Sequence, residues 1–144
     1  MKRYLCAILA LFCLAGLTAC GKKEAAAPVA AEDEVVVTVV CKDKGVNQIG
    51  YTSYIGGAYR TTGRGIELDG NSASGCTLEF RFSQEDFLEG DDISQFSIAL
   101  SPYGKGSEEE IATTEPVPVS MEYGKVYTIT LSSDGEAGFN AILL

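Results

Sequence analysis

The sequence predicts an all-β domain built as a two-sheet β-sandwich, with a small β-barrel as the alternative, and three observations carry the prediction. Apolar and polar residues alternate at period two in several short runs, the pattern of a strand with one buried and one wet face. Clusters of Gly, Pro, Asp and Ser punctuate those runs roughly every 8 to 12 residues, the spacing of sandwiches and barrels. Helix-period patterning is almost absent beyond residue 34.

Taken in order, Val35-Val36-Val37-Thr38-Val39-Val40-Cys41 is almost wholly β-branched and apolar at both parities, which predicts a strand covered on both sides. Cys76, Leu78, Phe80 and Phe82 alternate with Thr77, Glu79 and Arg81, so one face is core and the other is wet. Phe96, Ile98 and Leu100 alternate with Ser97, Ala99 and Ser101, and Tyr127, Ile129 and Leu131 alternate with Thr128 and Thr130. Ser133-Asp134-Gly135-Glu136 predicts a hairpin turn, because Asp-Gly tolerates the positive φ that type I′ turns demand, and a last strand follows over about 137–144. One short helix is expected over 83–89, with Ser83 as N-cap, Asp86 three residues on and Gly90 ending it. Pro116 and Pro118 fit an edge strand or loop, since each removes a ladder donor.

Gly124-Lys125-Val126-Tyr127 places a glycine three residues before a tyrosine that opens an alternating strand. This pattern resembles the tyrosine corner of immunoglobulin-like and fibronectin-like Greek-key sandwiches, and the resemblance implies a phenol bonded back to upstream backbone. It covers about eight residues, with Tyr123 where those domains have proline and no tryptophan for a core Trp.

The N-terminal end predicts an address. Met1-Lys2-Arg3 is a short positive segment, and the apolar run from Tyr4 to Gly16 is well short of the roughly 20 residues that span a bilayer. Leu17-Thr18-Ala19-Cys20 follows, with Gly21 after it, and resembles the lipobox of bacterial lipoproteins. The resemblance implies that residues 1–19 are a cleaved signal peptide and that Cys20 is the lipidated first residue, carrying a thioether-linked diacylglyceryl group and an amide-linked chain such as palmitate. Two chains give the firm anchoring that one acyl chain does not. The implied location is the cell membrane or outer membrane, with the domain outside the cytoplasm. Residues 20–34 then form the lipidated cysteine and a flexible tether, since an Ala-, Lys- and Glu-rich stretch buries too little surface to offset its chain entropy. Residues 35–144 form the domain.

Charge narrows the partners. The chain carries 20 acidic and 11 basic residues, and loss of Lys2 and Arg3 leaves nine basic residues and a net charge of −11. Such a surface repels nucleic acid and anionic lipid heads, so membrane attachment falls to the lipid. Cys6 and Cys13 leave with the signal peptide and Cys20 takes the lipid, so Cys41 and Cys76 remain. Outside the cytoplasm such a pair is expected to oxidise to a disulfide.

Little in the sequence carries chemistry. The absence of His excludes Ser-His and Cys-His dyads and imidazole metal sites, and two sulfurs do not complete a zinc site. The acids Glu85, Asp86, Glu89, Asp91 and Asp92 offer oxygen atoms to Ca²⁺ but lack EF-hand spacing, so a solvated turn is expected, with no metal and no cofactor. Gly45 to Gly75 holds 8 of the 16 glycines together with Tyr51, Tyr54, Tyr59, Arg60 and Arg64. Flat amphipathic rings, planar donors and bare backbone are the composition of binding surfaces, so these five side chains are the expected ligand-binding residues. The competing expectation is that Tyr51 and Tyr54 straddle one strand, one packed inside and one shielding an edge.

These readings converge on a non-enzymatic, lipid-anchored envelope module that binds a protein, peptide or glycan. The alternatives are a structural or accessory envelope lipoprotein and a small carboxylate hydrolase. A further alternative rests on Val39-Val40-Cys41 and Ser72-Ala73-Ser74-Gly75, which resemble periplasmic lysozyme-inhibitor lipoproteins whose Ser-Gly-x-x-Tyr loop enters the lysozyme cleft. Glu79 and Phe80 stand here where that loop has Tyr.

Overall fold

A computed structural model describes residues 26–67, 75–135 and 138–144. The expected signal peptide, the expected lipidation site Cys20 and Ser72-Ala73-Ser74 lie outside the described residues. Among the described residues there are eight strands: β1 (Glu34–Cys41), β2 (Val46–Ile55), β3 (Ala58–Ile66), β4 (Cys76–Ser83), β5 (Phe96–Gly104), β6 (Val117–Pro118), β7 (Val126–Ser133) and β8 (Phe139–Leu143). They form two four-stranded sheets, β4-β1-β7-β8 and β3-β2-β5-β6, which pack as a sandwich and do not close into a barrel.

β1 organises the first sheet. It pairs antiparallel with β4 and parallel with β7, so it is central, as a strand apolar at both parities must be. Val35, Val37 and Val39 face the core at 0% exposure, and Val36 on the opposite face is equally buried. Arg81 stands opposite Val36 and ion-pairs with Glu34 at 2.8 Å and Glu79 at 3.0 Å, a polar cover over the outer side of β1. After β1 the chain crosses to the second sheet for the β2–β3 hairpin, and β4 returns to the first sheet beside β1. This order refines the immunoglobulin-like expectation. In immunoglobulin domains the first two strands share a sheet, whereas here they face each other across the core.

The core lies between Val35, Val37, Val39, Phe80, Phe82, Ile129 and Leu131 of one sheet and Ile49, Ile55, Phe96, Ile98 and Leu100 of the other. Phe82 and Phe96 meet edge to face with ring centres 5.2 Å apart, joining the layers by the geometry aromatic pairs prefer. Tyr127 makes the corner its sequence suggests: its hydroxyl donates to the Ser120 carbonyl at 2.8 Å and accepts from the Glu122 amide at 3.0 Å. Gly124 sits in the left-handed region at φ +77° to allow the bend.

Two local expectations change. The short helix over 83–89 is a single 3₁₀ turn, Gln84–Asp86, in which Asp86 accepts from the Ser83 amide and hydroxyl. A second 3₁₀ turn, Ile93–Gln95, is capped by Asp92. The β7–β8 connection is wider than a two-residue turn: Ser133 pairs with Phe139, and the Asp134 amide donates to the Gly138 carbonyl at 3.1 Å. The Asp134 carboxylate accepts from the Gly138 amide at 3.1 Å and so holds the wider loop, while Glu136 and Ala137 lie outside the described residues.

Candidate functional site

The glycine- and tyrosine-rich segment folds as the β2–β3 hairpin. Gly56 and Gly57 form its turn with φ of +56° and +82°, both positive as a type I′ turn requires. Strand parity then divides the expected binding residues. Tyr51 faces inward: its ring centre lies 4.8 Å from that of Phe80 and 5.4 Å from that of Phe82. Burial, with the Asp86 carboxylate adding to it, raises the Tyr51 phenol above its ordinary value. The Tyr51 ring thus packs partly buried against the core, while Tyr51 is also among the residues lining the groove on this sheet. Gly63 opposite it is what makes room, since a Cβ there would lie 2.6 Å from the ring.

Arg60 is engaged within the fold. It lies at the irregularity where the β2–β3 register shifts, and its guanidinium is held by Asp91 of the β4–β5 loop, with Nε 2.7 Å from the carboxylate. The two side chains are only 19% and 6% exposed, and Arg60 holds the Asp91 carboxyl below its usual value. The pair ties the hairpin to that loop and leaves Arg60 little capacity for a ligand. Tyr54 and Tyr59 are register partners on the outer face near the turn, Tyr59 being 59% exposed. Arg64 lies on the same outer face but five residues further along β3. The five expected residues thus do not form one patch.

Arg64 instead belongs to a groove of about 310 Å³ on the outer face of the second sheet. Its guanidinium carbon sits 4.0 Å from the centre of the Tyr103 ring, a cation–π stack. That ring leans over Gly50, where a Cβ would meet it at 3.1 Å, so the glycine is the bare floor on which the stack rests. Thr52, Thr62 and Ser101 add hydroxyls and Glu110 adds a carboxylate. Glu108, almost wholly exposed, accepts from Arg64 at 3.0 Å. The groove therefore offers planar donors, hydroxyls and carboxylate acceptors in an open concavity, a set suited to a ligand dense in hydrogen-bonding groups. Tyr103 and Ser101 are residues the sequence reading left out of the site. The alternation of Phe96, Ile98 and Leu100 is the signal that would have found them, since it puts Ser101 and Tyr103 on the outer face.

The cysteines meet at one end of the first sheet. Cys41 and Cys76 are register partners of β1 and β4, both buried, and both are free thiols in this structure rather than the expected disulfide. A hydrogen bond from Cys76 lowers the Cys41 thiol from its ordinary value, and the same bond together with burial pushes Cys76 up. Gly75 closes this end at φ +89°, so near β1 that a Cβ would fall 1.9 Å from the Cys41 carbonyl oxygen. That contact, and the continuation of the chain into β4 with Phe80 in the core, puts the residues after Gly75 in a sheet rather than in an inhibitor-like loop.

The acidic cluster is divided among local tasks. Asp86 serves the first 3₁₀ turn, Asp91 binds Arg60, and Asp92 accepts from Ser94 and Gln95. No group of three or more His, Cys, Asp or Glu side chains among the described residues converges in a way that could hold a metal ion. No helix among the described residues is long and apolar enough to cross a membrane. The fold and groove define a two-sheet β-sandwich with a polar cleft on one sheet face. Neither a scan against protein-family models nor a search of curated proteins returns a match to this chain.

Proposed function

We propose that the chain is a lipid-anchored lipoprotein of the cell envelope whose sandwich is a non-enzymatic binding module. The anchor rests on the Leu17-Thr18-Ala19-Cys20 motif, with Cys20 carrying the lipid and residues 20–34 holding the domain away from the headgroups. One observation carries the binding role: the Arg64–Tyr103 stack over Gly50, set in a groove whose rim is hydroxyls and carboxylates. Within the class of envelope proteins, peptides and glycans, this lining favours a glycan, because sugars present paired donors and acceptors to planar groups of this kind. The exposed Tyr59, with Tyr54 beside it, extends the same face. The direct register of the two buried cysteines supports a disulfide between them in an oxidising compartment, worth roughly 3 to 4 kcal/mol in the chain-entropy treatment.

Two arms of one experiment test the proposal. The full chain is expected to bind isolated cell-wall glycan, and Arg64→Ala to weaken that binding by about 2 kcal/mol with thermal unfolding unchanged. Glycan binding that is absent, or indifferent to Arg64→Ala, overturns the groove. In cells, Cys20→Ala is expected to leave the protein unprocessed or soluble; processing and membrane partition equal to wild type overturn the anchor.

A further inference from the structure

Four strands edge the sandwich, β4 and β8 in the first sheet and β3 and β6 in the second. An edge strand presents a row of unpaired amides and carbonyls, and folded proteins guard such rows with charge, proline, bulges or brevity. β3 carries Arg60, Arg64 and a register shift. β4 carries the paired charges Glu79 and Arg81. β6 is two residues long and includes Pro118, with Pro116 just before it. β8, Phe139-Asn140-Ala141-Ile142-Leu143, has no charge and no proline and pairs with β7 in unbroken register. It is the one unguarded edge among the described residues.

The phase of the β7–β8 ladder says which groups are open. The Asp134 amide donates to Gly138 and the Leu144 amide to Thr128, at 3.1 and 2.9 Å. In an antiparallel ladder bonded pairs recur at every second residue, so Asn140 and Ile142 also turn their backbone toward β7. Phe139, Ala141 and Leu143 therefore turn their N–H and C=O groups away from it. Along that side runs a groove of about 350 Å³ between β8 and the segment leading into β6. Val117, Pro118, Phe139 and Ala141 line it with apolar surface, Glu115 and Asp134 contribute carboxylates, and no Lys or Arg is among the described residues that line it.

We infer that β8 is a docking edge for an extended, basic peptide segment, which adds to the first sheet as a fifth strand and lays alternate apolar side chains into this groove. Main-chain hydrogen bonds to Phe139, Ala141 and Leu143 supply affinity, and the groove selects side chains at every second position, the general mode of strand addition. Charge selects the class of partner. A second copy of this chain, net charge −9, would bring its own Glu115 and Asp134 against the first pair, whereas lysine or arginine side chains complement them. This surface shares no lining residue with the Arg64 groove, so the inference stands apart from the proposed glycan site.

The test uses the full chain and a fluorescein-labelled peptide alternating valine with lysine and threonine. Saturable binding is expected, with the counterpart bearing glutamate for lysine binding roughly tenfold more weakly or worse. N-methylation of every second peptide amide, in the phase that faces β8, is expected to abolish binding. Ala141→Pro removes an outward amide without touching the β7 ladder and should do the same, while Arg64→Ala should leave peptide binding unchanged. Absent binding of the lysine peptide, equal binding of the glutamate peptide, or binding that survives N-methylation overturns the inference. So does concentration-dependent dimerisation blocked by Ala141→Pro, which assigns the edge to a second copy.

Discussion

The two sheets are built on opposite plans. In the first, β-branched and aromatic side chains fill alternate positions of β1, β4 and β7, and its middle strand is buried on both faces, with Val36 and Val37 alike at 0% exposure. In the second, glycines stand where side chains would, and rings lie across them: Tyr51 over Gly63 on the inside, Tyr103 over Gly50 on the outside. The strands of the first sheet contain no glycine, and the groove beside β8 runs along its edge rather than over a glycine gap. A sheet with glycine gaps roofed by rings offers a concavity on its face, and there the only exposed stack of arginine on tyrosine among the described residues is found. The first sheet thus holds the molecule together and the second carries the candidate site.

Three substitutions sharpen that contrast. The largest effect is expected at the end of the first sheet, from Gly75→Ala. A side chain at φ +89° is strained, and its Cβ would lie 1.9 Å from the backbone oxygen of Cys41, which moves only if β1 moves. A loss of more than about 3 kcal/mol is expected, read as a lower urea midpoint with unchanged slope. A loss under about 1 kcal/mol would show that this end is slack.

Gly63→Ala in the second sheet should cost less, about 1 to 3 kcal/mol. Its Cβ meets the Tyr51 ring at 2.6 Å, and a ring can tilt where backbone cannot. Pairing it with Tyr51→Ala in a double-mutant cycle separates the collision from the simple change of residue. Additive losses would mean that the ring does not rest on Gly63.

The smallest effect is expected from Tyr127→Phe, about 0.5 to 1.5 kcal/mol for the corner hydroxyl. Its two partners, the Ser120 carbonyl and the Glu122 amide, belong to exposed residues, so water replaces part of what is lost. Amide exchange of Glu122 should accelerate in this variant while the amides of β5 keep their protection. A uniform change across both would make the corner a global rather than a local tie.

Much of the first sheet is legible in the sequence because facing is a local property. Period two assigns Phe80 and Phe82, or Ile129 and Leu131, to the core without knowledge of any partner, and Gly124 with Tyr127 announces a corner within a few residues. The site is less legible. Arg60 and Arg64 look equivalent in the chain, but Arg60 is held by Asp91, 31 residues away, and Arg64 lies on a ring from β5. Tyr51 resembles Tyr54 in composition and differs only in parity, and with Gly50, Thr52 and Ser53 beside them no apolar alternation marks which face is inner.

The sequence by itself determined the all-β class, the strands β1, β4, β5 and β7, the inward face of the last three, and the glycines and tyrosines of the hairpin, since all of these follow from alternation and turn chemistry along a few residues. Tertiary structure alone decided the order β4-β1-β7-β8 against β3-β2-β5-β6, the meeting of Cys41 with Cys76, the partial burial of Tyr51, the capture of Arg60 and the groove around Arg64 and Tyr103. The physical reason is range. A residue's face is set by its nearest neighbours in the chain, whereas its partner is set by which distant strand comes to lie beside it when both sheets close over one core.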